Sequence, residues 1–182
     1  MQGLKDYNKV SDMKRSKTGE LFQEFTSAAI ESGNLPIPLL SMIHDGILNI
    51  PHSLIINEGL ASAISTSMKN LEAFGVKGGL KKAIFDKNSM NDSNFGKILS
   101  GLLCRKELNS LTSICNEIGI ESANLISQML EPKKSKVQEP ELQELCLKSN
   151  KITSDATDII FEALSYSMSL RYLSLQNLKC SN

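Results

Sequence analysis

The feature of this sequence that most constrains its fold is a repeated pattern, L-x-x-L-x-L-x-x-N-x-L, in the second half of the chain. With a few replacements, it occurs in residues 80–90, 108–118, 142–152 and 170–175. The step between the first two copies equals the step between the last two, and the middle step is longer. The extra residues of the middle step fit the polar segment 131–140, a predicted loop. A fixed period of roughly 28 residues predicts a stack of equivalent units.

The second half of each unit predicts a helix. Ten residues after the Asn stands Ile98, Ile126 or Ile160, and fourteen after it stands Leu102, Leu130 or Leu164. Residues one helical turn apart share a face, so each pair indicates the buried side of a helix. Polar residues suited to a helix start come before them, namely Asp92 or Ser93, Glu121 or Ser122, and Asp155. Each unit is therefore predicted to be a strand, an Asn turn and an amphipathic helix.

From Leu80 to the C-terminus, these copies resemble the leucine-rich repeat family, in its ribonuclease-inhibitor-like class. The resemblance implies an α/β fold: a leucine-rich repeat solenoid with short parallel strands inside, α-helices outside and a helical N-terminal cap. It also implies that Asn88, Asn116 and Asn150 bond backbone groups of adjacent turns. A degenerate earlier copy is predicted at residues 54–57, with a helix over residues 58–73.

The sequence departs from the family pattern at two positions. Ser113 stands at an inward position that normally holds Leu, which predicts either a polar group facing the core or a one-residue slip that turns Ile114 inward. Leu178 stands where Asn is expected, and the last unit stops before a helix. Because the end of a solenoid needs a cap, we expect another chain or missing sequence to cover it.

The predicted organisation has three parts. Residues 1–17 form a flexible polar tail, and residues 18–79 form the N-terminal helical cap with the possible degenerate repeat. Residues 80–182 form the repeats, the last one incomplete. Within the cap, apolar residues at helical spacing predict an amphipathic helix over residues 18–32.

Composition excludes several classes of partner. Lys plus Arg and Asp plus Glu number 20 each, giving a formal net charge of +0, so we expect no nucleic-acid partner. No apolar run approaches the roughly 18 to 20 residues of a membrane span, so we expect no membrane partner. Four cysteines without a C-x-x-C pair indicate reduced thiols in an intracellular protein.

The sequence offers no catalytic or cofactor site. The only histidines, His44 and His52, do not stand at metal-ligand spacing from a Cys, an Asp or each other. Residues 75–80 contain glycines but lack the phosphate-loop pattern. We therefore expect no metal, no cofactor and no enzymatic activity.

The predicted binding surface is the concave strand face, because alternate residues of each strand point away from the core. The ten residues predicted to bind protein there are Lys82, Ile84, Asp86, Thr112, Glu144, Cys146, Lys148, Tyr172, Ser174 and Gln176. Ser110 and Ile114 belong to the same face. Charges of both signs mixed with apolar groups suit a protein partner better than a phosphate backbone. Leu145 and Leu173 point the other way and are predicted core.

The family that the chain resembles consists mostly of binding scaffolds, which implies a non-enzymatic protein–protein interaction scaffold. Our first hypothesis is a structural subunit of a large cytoskeletal or ciliary (axonemal) assembly with several protein partners. The alternative is a regulator of a small GTPase or a soluble inhibitor that uses the concave face. A GTPase regulator would need an arginine at a strand-to-helix turn; Arg105, in a loop before a strand, comes nearest to that.

Overall fold

The structure is a computed structural model, and it describes residues 42–50, 52, 54–69, 79–131 and 141–181. These residues form an α/β fold in which a mostly parallel sheet packs against α-helices. The predicted tail of residues 1–17 and the predicted helix of residues 18–32 lie outside the described residues.

From the fourth strand onward, the described elements recur in the order strand, strand, helix. The strands are β1 (Ile43–His44), β2 (Ile47–Ile50), β3 (Lys82–Asp86), β4 (Ser110–Ile114), β5 (Glu117–Ile118), β6 (Glu144–Cys146), β7 (Lys151–Thr153), β8 (Tyr172–Ser174) and β9 (Lys179–Ser181). The helices are α1 (Glu58–Lys69), α2 (Asp92–Leu102), α3 (Ile120–Leu130) and α4 (Ser154–Tyr166).

The strands form two sheets. The six-stranded sheet has the order β1-β2-β3-β4-β6-β8, and the three-stranded sheet has the order β5-β7-β9. The β1–β2 pair is antiparallel and the other pairs are parallel. Parallel neighbours need a long crossover, which helices α1 to α4 provide. We number the units 1 to 4 by their first strands, β3, β4, β6 and β8.

The register of the large sheet follows the sequence period. Ala83 lies opposite Leu111, Leu111 opposite Leu145, and Leu145 opposite Leu173. The first and last of these pairs have the same separation in the sequence, and the middle pair has a longer one. The extra residues of the middle step therefore fall between α3 and β6 without shifting the register.

The core lies between the large sheet and the helices. Five of the six apolar residues predicted on the helix faces are buried, and Leu164 is half-buried against the same core. Phe85 of β3 and Phe95 of α2 meet edge to face, with ring centroids 5.8 Å apart, an arrangement that aromatic pairs favour. Strand and helix of one unit thus share one core.

Ser113 faces this core, and the strand does not slip. Its side chain is fully buried, whereas Ile114 is half-buried on the other face. The hydroxyl has two polar neighbours: it accepts from Asn116 Nδ2 at 3.2 Å and donates to Asn150 Oδ1 at 3.4 Å. A buried polar group is tolerated here because it has hydrogen-bond partners.

The buried asparagines connect successive units. Asn116 Oδ1 accepts from the backbone N–H groups of Asn88 and Met90, at 3.2 and 3.3 Å, and Nδ2 donates to the Phe85 carbonyl at 3.3 Å. Asn88 Nδ2 donates to the Leu54 carbonyl at 3.1 Å. These are the backbone hydrogen bonds that the family resemblance implies.

The degenerate copy predicted at residues 54–57 falls on a segment that contains no strand. Residues 54–57 connect β2 to α1, and the strand beside β3 is β2, where Leu48 lies opposite Ala83. The strand lies earlier because Asp45 and Gly46, both with positive φ, make a two-residue hairpin turn that joins β1 to β2. Helix α1 begins at Glu58 as predicted; residues 70–73 lie outside the described residues.

A helix N-terminus can be capped by a residue of its own unit or by a residue of the preceding unit. Asn91 caps α2 by accepting from the Asn94 N–H at 2.9 Å, which leaves Asp92 free to cap the next helix. Asp92 accepts from the backbone N–H groups of Gly119, Glu121 and Ser122 at 2.8 to 3.0 Å. Burial raises the pKa of Asp92, but hydrogen bonds from Ser122, Gly119 and Glu121 outweigh it and hold the pKa below its ordinary value.

Candidate protein-binding face

The side of the large sheet that faces away from the helices presents three rows of side chains, and we call it the open face. Its members are Lys82, Ser110, Glu144 and Tyr172 in the first row, Ile84, Thr112, Cys146 and Ser174 in the second, and Asp86 and Ile114 in the third, which Lys148 and Gln176 extend by sequence position in the turns after β6 and β8. Eight of the ten residues predicted to bind protein lie in the paired rows, and the other two, Lys148 and Gln176, lie in those turns. The period places them there because it fixes both register and side-chain direction.

In the first row, a positive and a negative side chain neutralise each other in an ion pair. Lys82 Nζ lies 3.6 Å from Glu144 Oε2, and Ser110 Oγ donates to the same oxygen at 2.8 Å. The ion pair joins β3 to β6 across the intervening β4 and therefore covers Ser110, which is buried. Tyr172 follows in the same row and is exposed.

The second row alternates between side chains of low polarity and hydroxyl side chains, and it is partly accessible. Ile84, Thr112 and Cys146 are half-buried. Ser174 is buried, which corrects the prediction that it is an accessible surface residue. Its short side chain lies beside Cys146 of β6, where a serine projects little above the sheet.

The third row ends in exposed polar residues. Lys148 and Gln176 follow β6 and β8, and both are exposed. Lys148 makes no ion pair with any described residue. At the other end, Asp86 Oδ2 lies 2.9 Å from His52 Nδ1, and Asp86 Oδ1 is buried without a hydrogen-bond partner in the described part of the chain.

A second surface feature is a wide cleft of about 1040 Å³ beside the small sheet. It is lined by the turns that follow the strands, and an ion pair between Lys151 Nζ and Glu117 Oε1, at 3.3 Å, lies along it. Residues Lys87, Cys115, Ser149 and Asn177 have positive φ at the equivalent position of the four turns. Because these residues are not glycines, the amino-acid sequence carries no local signal for the turns beside the cleft.

Large apolar side chains are exposed on α4, on β8 and in the segment that joins them. They are Phe161, Tyr166, Met168, Tyr172 and Leu173. Leu173 corrects a prediction: it is 42% exposed, whereas Leu145 beside it is fully buried. The physical reason is position, since β8 has no further strand beside it among the described residues.

The groups that metal or nucleotide chemistry would use are the His, Cys, Asp and Glu side chains and the arginines. No group of three or more His, Cys, Asp or Glu side chains among them could hold a metal ion. The cysteines are free thiols, exposed at Cys104, Cys115 and Cys180 and half-buried at Cys146. Arg105, considered above as a GTPase contact, is buried with its guanidinium donating to the Lys69 carbonyl at 3.3 Å.

Each helix that the structure describes is too short or too polar to cross a bilayer. In comparisons with known proteins, no protein-family model matches the chain, and no curated protein is similar to it in sequence.

Proposed function

We propose that this chain is a leucine-rich repeat solenoid of the ribonuclease-inhibitor-like class and a non-enzymatic protein–protein interaction scaffold. Its support is the parallel register of β3, β4, β6 and β8, which follows the sequence period, together with asparagines that bond the backbone of the preceding turn. On this proposal the open face is the concave surface of the solenoid.

The observation that carries the binding proposal is the chemistry of the open face. Lys82 and Glu144 neutralise each other, which leaves half-buried apolar groups beside exposed Lys148, Tyr172 and Gln176. Protein interfaces combine apolar and aromatic contacts with a polar rim, and this arrangement has both. A phosphate backbone would instead favour an unpaired basic surface.

The wider proposal is a structural subunit of a large cytoskeletal or ciliary assembly with several protein partners. It rests on the family resemblance and on the exposed apolar side chains of α4, β8 and the segment between them, since large exposed apolar patches mark interaction sites. The alternative, a small-GTPase regulator or a soluble inhibitor using the same concave face, predicts a chain that travels alone in extracts.

The test is the native mass of the chain in gentle extracts of its own cells, measured by sedimentation with cross-linking. We expect a particle far larger than the 20.0 kDa chain. A tagged Tyr172→Ala, Lys148→Glu double variant should no longer sediment with that particle, because both side chains are exposed on the open face. The matched control is Ile55→Ala with Lys106→Glu, two exposed positions outside the three rows.

Two results would contradict the proposal. If the double variant stays in the particle while folding normally, the open face is not the binding surface. If the natural chain migrates at the mass of a single copy, the structural-subunit hypothesis is lost and the regulator or inhibitor is favoured. Equal melting temperatures of the double variant and the control establish that loss of binding is not loss of folding.

A further inference from the structure

The cleft beside the small sheet adjoins the open face across one row of turns. Lys87, Cys115 and Ser149 occupy the same position in the turns of units 1, 2 and 3. The Lys87 N–H donates to the Ile114 carbonyl at 2.9 Å, so the turns lie directly beside the third row. Cys115 and Ser149 also line the cleft. A bound segment that crosses the turns would therefore contact the open face and the cleft together.

The accessible lining of the cleft is mostly polar. Ser89, Glu117 and Lys151 each follow the buried asparagine of their unit, line the cleft and are exposed. Asn91 lines the cleft as well and is exposed, and Ser149 is half-buried. Hydroxyl, carboxamide and ammonium groups can all donate hydrogen bonds. The cleft therefore suits a ligand that carries acceptor oxygens.

The acids in the cleft and in the segments next to it already have partners. Glu117, the acid among the described lining residues, places Oε1 3.3 Å from Lys151 Nζ. Asp86 Oδ2, at the end of β3, lies 2.9 Å from His52 Nδ1. Asp92 accepts from three backbone N–H groups at the start of α3. Each of these three carboxylates is therefore bonded within the chain.

Two lysines at the turns have no acidic neighbour of their own. Lys87 and Lys148 are exposed and make no ion pair with any residue that the structure describes. Their strands, β3 and β6, each have a described strand on both sides, so these charges belong to the interior of the sheet. Because neighbouring strands lie about 4.8 Å apart, the two turns lie about 10 Å apart, a distance that a few extended residues span.

We propose that the cleft and the adjoining turns bind an acidic segment of a partner protein, with carboxylates placed against Lys87, Lys148 and Lys151. Charge complementarity with these lysines selects an anionic ligand. No arginine and no aromatic side chain stands among the described residues that line the cleft. Phosphorylated peptides are bound by arginine clusters and single-stranded nucleic acids by aromatic stacking, so carboxylates fit this lining better. The inference rests on the proposed function only in taking the chain to bind protein partners.

The probe is a short fluorescent peptide of alternating glutamate and serine, and the control peptide has glutamine in place of glutamate. Binding to the full chain is followed by fluorescence anisotropy at low ionic strength, where exposed ion pairs are least screened. We expect Lys87→Gln with Lys151→Gln to raise the dissociation constant of the probe about tenfold. The matched control, Lys81→Gln with Lys106→Gln, removes the same charge at exposed positions outside the cleft and should change it by less than about twofold.

A substitution of Glu117 tests the site in the opposite direction. Glu117→Gln removes the acid that pairs with Lys151, so the probe should bind about threefold more tightly. Tyr172→Ala should bind the probe as the natural chain does, because Tyr172 lies on the open face and does not line the cleft. Failure of the cleft and failure of the open face can thus be told apart.

Four outcomes would overturn the inference. The glutamate probe could bind no better than the glutamine peptide, or the two double-lysine variants could lose affinity equally, which would show a general attraction to basic residues. Unchanged affinity of Glu117→Gln would mean that the peptide binds elsewhere. Tighter binding of a single-stranded RNA with the same number of charges would make a nucleic acid the occupant. Melting temperatures equal to that of the natural chain establish that each variant is folded.

Discussion

The side chain of Asn150 bonds directly to the backbone of Asn116, in the unit before it. Asn150 Oδ1 accepts from the Asn116 N–H at 2.8 Å, and its Nδ2 donates to the Ser113 carbonyl at 2.7 Å. Asn150 is fully buried and Asn116 is nearly so. One carboxamide therefore satisfies a donor and an acceptor that would otherwise lie unpaired away from water.

Replacing this carboxamide should destabilise the chain. Asn150→Ala leaves the Asn116 N–H and the Ser113 carbonyl without their partner, so we expect the free energy of unfolding to fall by about 1–3 kcal/mol. Urea unfolding followed by circular dichroism measures the change. The control is Asn124→Ala on the exposed side of α3, which should be neutral or slightly stabilising because alanine favours helix. Equal stability of both variants would contradict the role given to Asn150.

Substitutions at Gly119 and Asp92 should have non-additive effects on the free energy of unfolding. A Cβ at Gly119 would lie 2.5 Å from Asp92 Oδ2, so Gly119→Ala must displace the carboxylate that caps α3. Asp92→Ala should cost about 0.5–2 kcal/mol, as the loss of a helix cap does. Gly119→Ala should cost clearly less in the Asp92→Ala background than in the natural chain, because the carboxylate is then gone and only the Cβ of residue 92, at 3.1 Å, stays close. A double-mutant cycle with no coupling would contradict this geometry.

The stabilisation from Asp92 should depend on pH. The pKa of Asp92 is lowered in the folded chain, so the unfolded chain takes up the proton at higher pH. The contribution is therefore fully present above the unfolded pKa, about 4, and is lost as pH falls through the lower folded pKa. The stability difference between the natural chain and Asp92→Ala should be constant from neutral pH to about pH 5 and shrink below about pH 4. A stability difference that stayed constant as the pH fell to about 3 would contradict this account.

The repeat period predicted much of this fold because it specifies two things together. A fixed spacing sets which strands pair and which side chains point inward, so the helix faces at Ile98 and Ile126 and the rows of the open face followed from it. The small sheet could not be predicted in this way, since the pattern predicts one strand per unit and β5, β7 and β9 are second strands.

Two other features could be seen only in the folded chain, and a third had a local sequence signal that the prediction missed. Asp92 caps a helix whose first residues lie 27 to 30 positions later, and no local pattern records such a contact. The β1–β2 hairpin did have a local signal, the Asp45-Gly46 pair, which favours a two-residue turn. The exposure of Leu173 depends on what lies beside β8, which the leucine pattern alone does not contain.

Leu145 and Leu173 should therefore contribute differently to the free energy of unfolding, although they occupy the same position of the pattern. Leu145→Ala removes a fully buried side chain and should cost about 2–5 kcal/mol. Leu173→Ala should cost less than half as much, because its side chain is already 42% exposed and leaves a smaller cavity. Chemical unfolding of the two variants decides the matter. Equal costs would mean that Leu173 is covered in solution.

The last prediction sets the leucine pattern against the observed packing at Ser113. The pattern suggests that Ser113→Leu should stabilise the chain, since leucine is the usual residue there. The structure predicts the opposite, because the serine hydroxyl bonds to Asn116 and Asn150, and the large Phe85 lies directly opposite in the sheet. We expect Ser113→Leu to lower the free energy of unfolding by about 1–3 kcal/mol through overpacking. Ser113→Ala, which nearly keeps the volume but removes the hydroxyl, should cost less, and a Ser113→Leu variant that melts above the natural chain would show that the pattern outweighs the local packing.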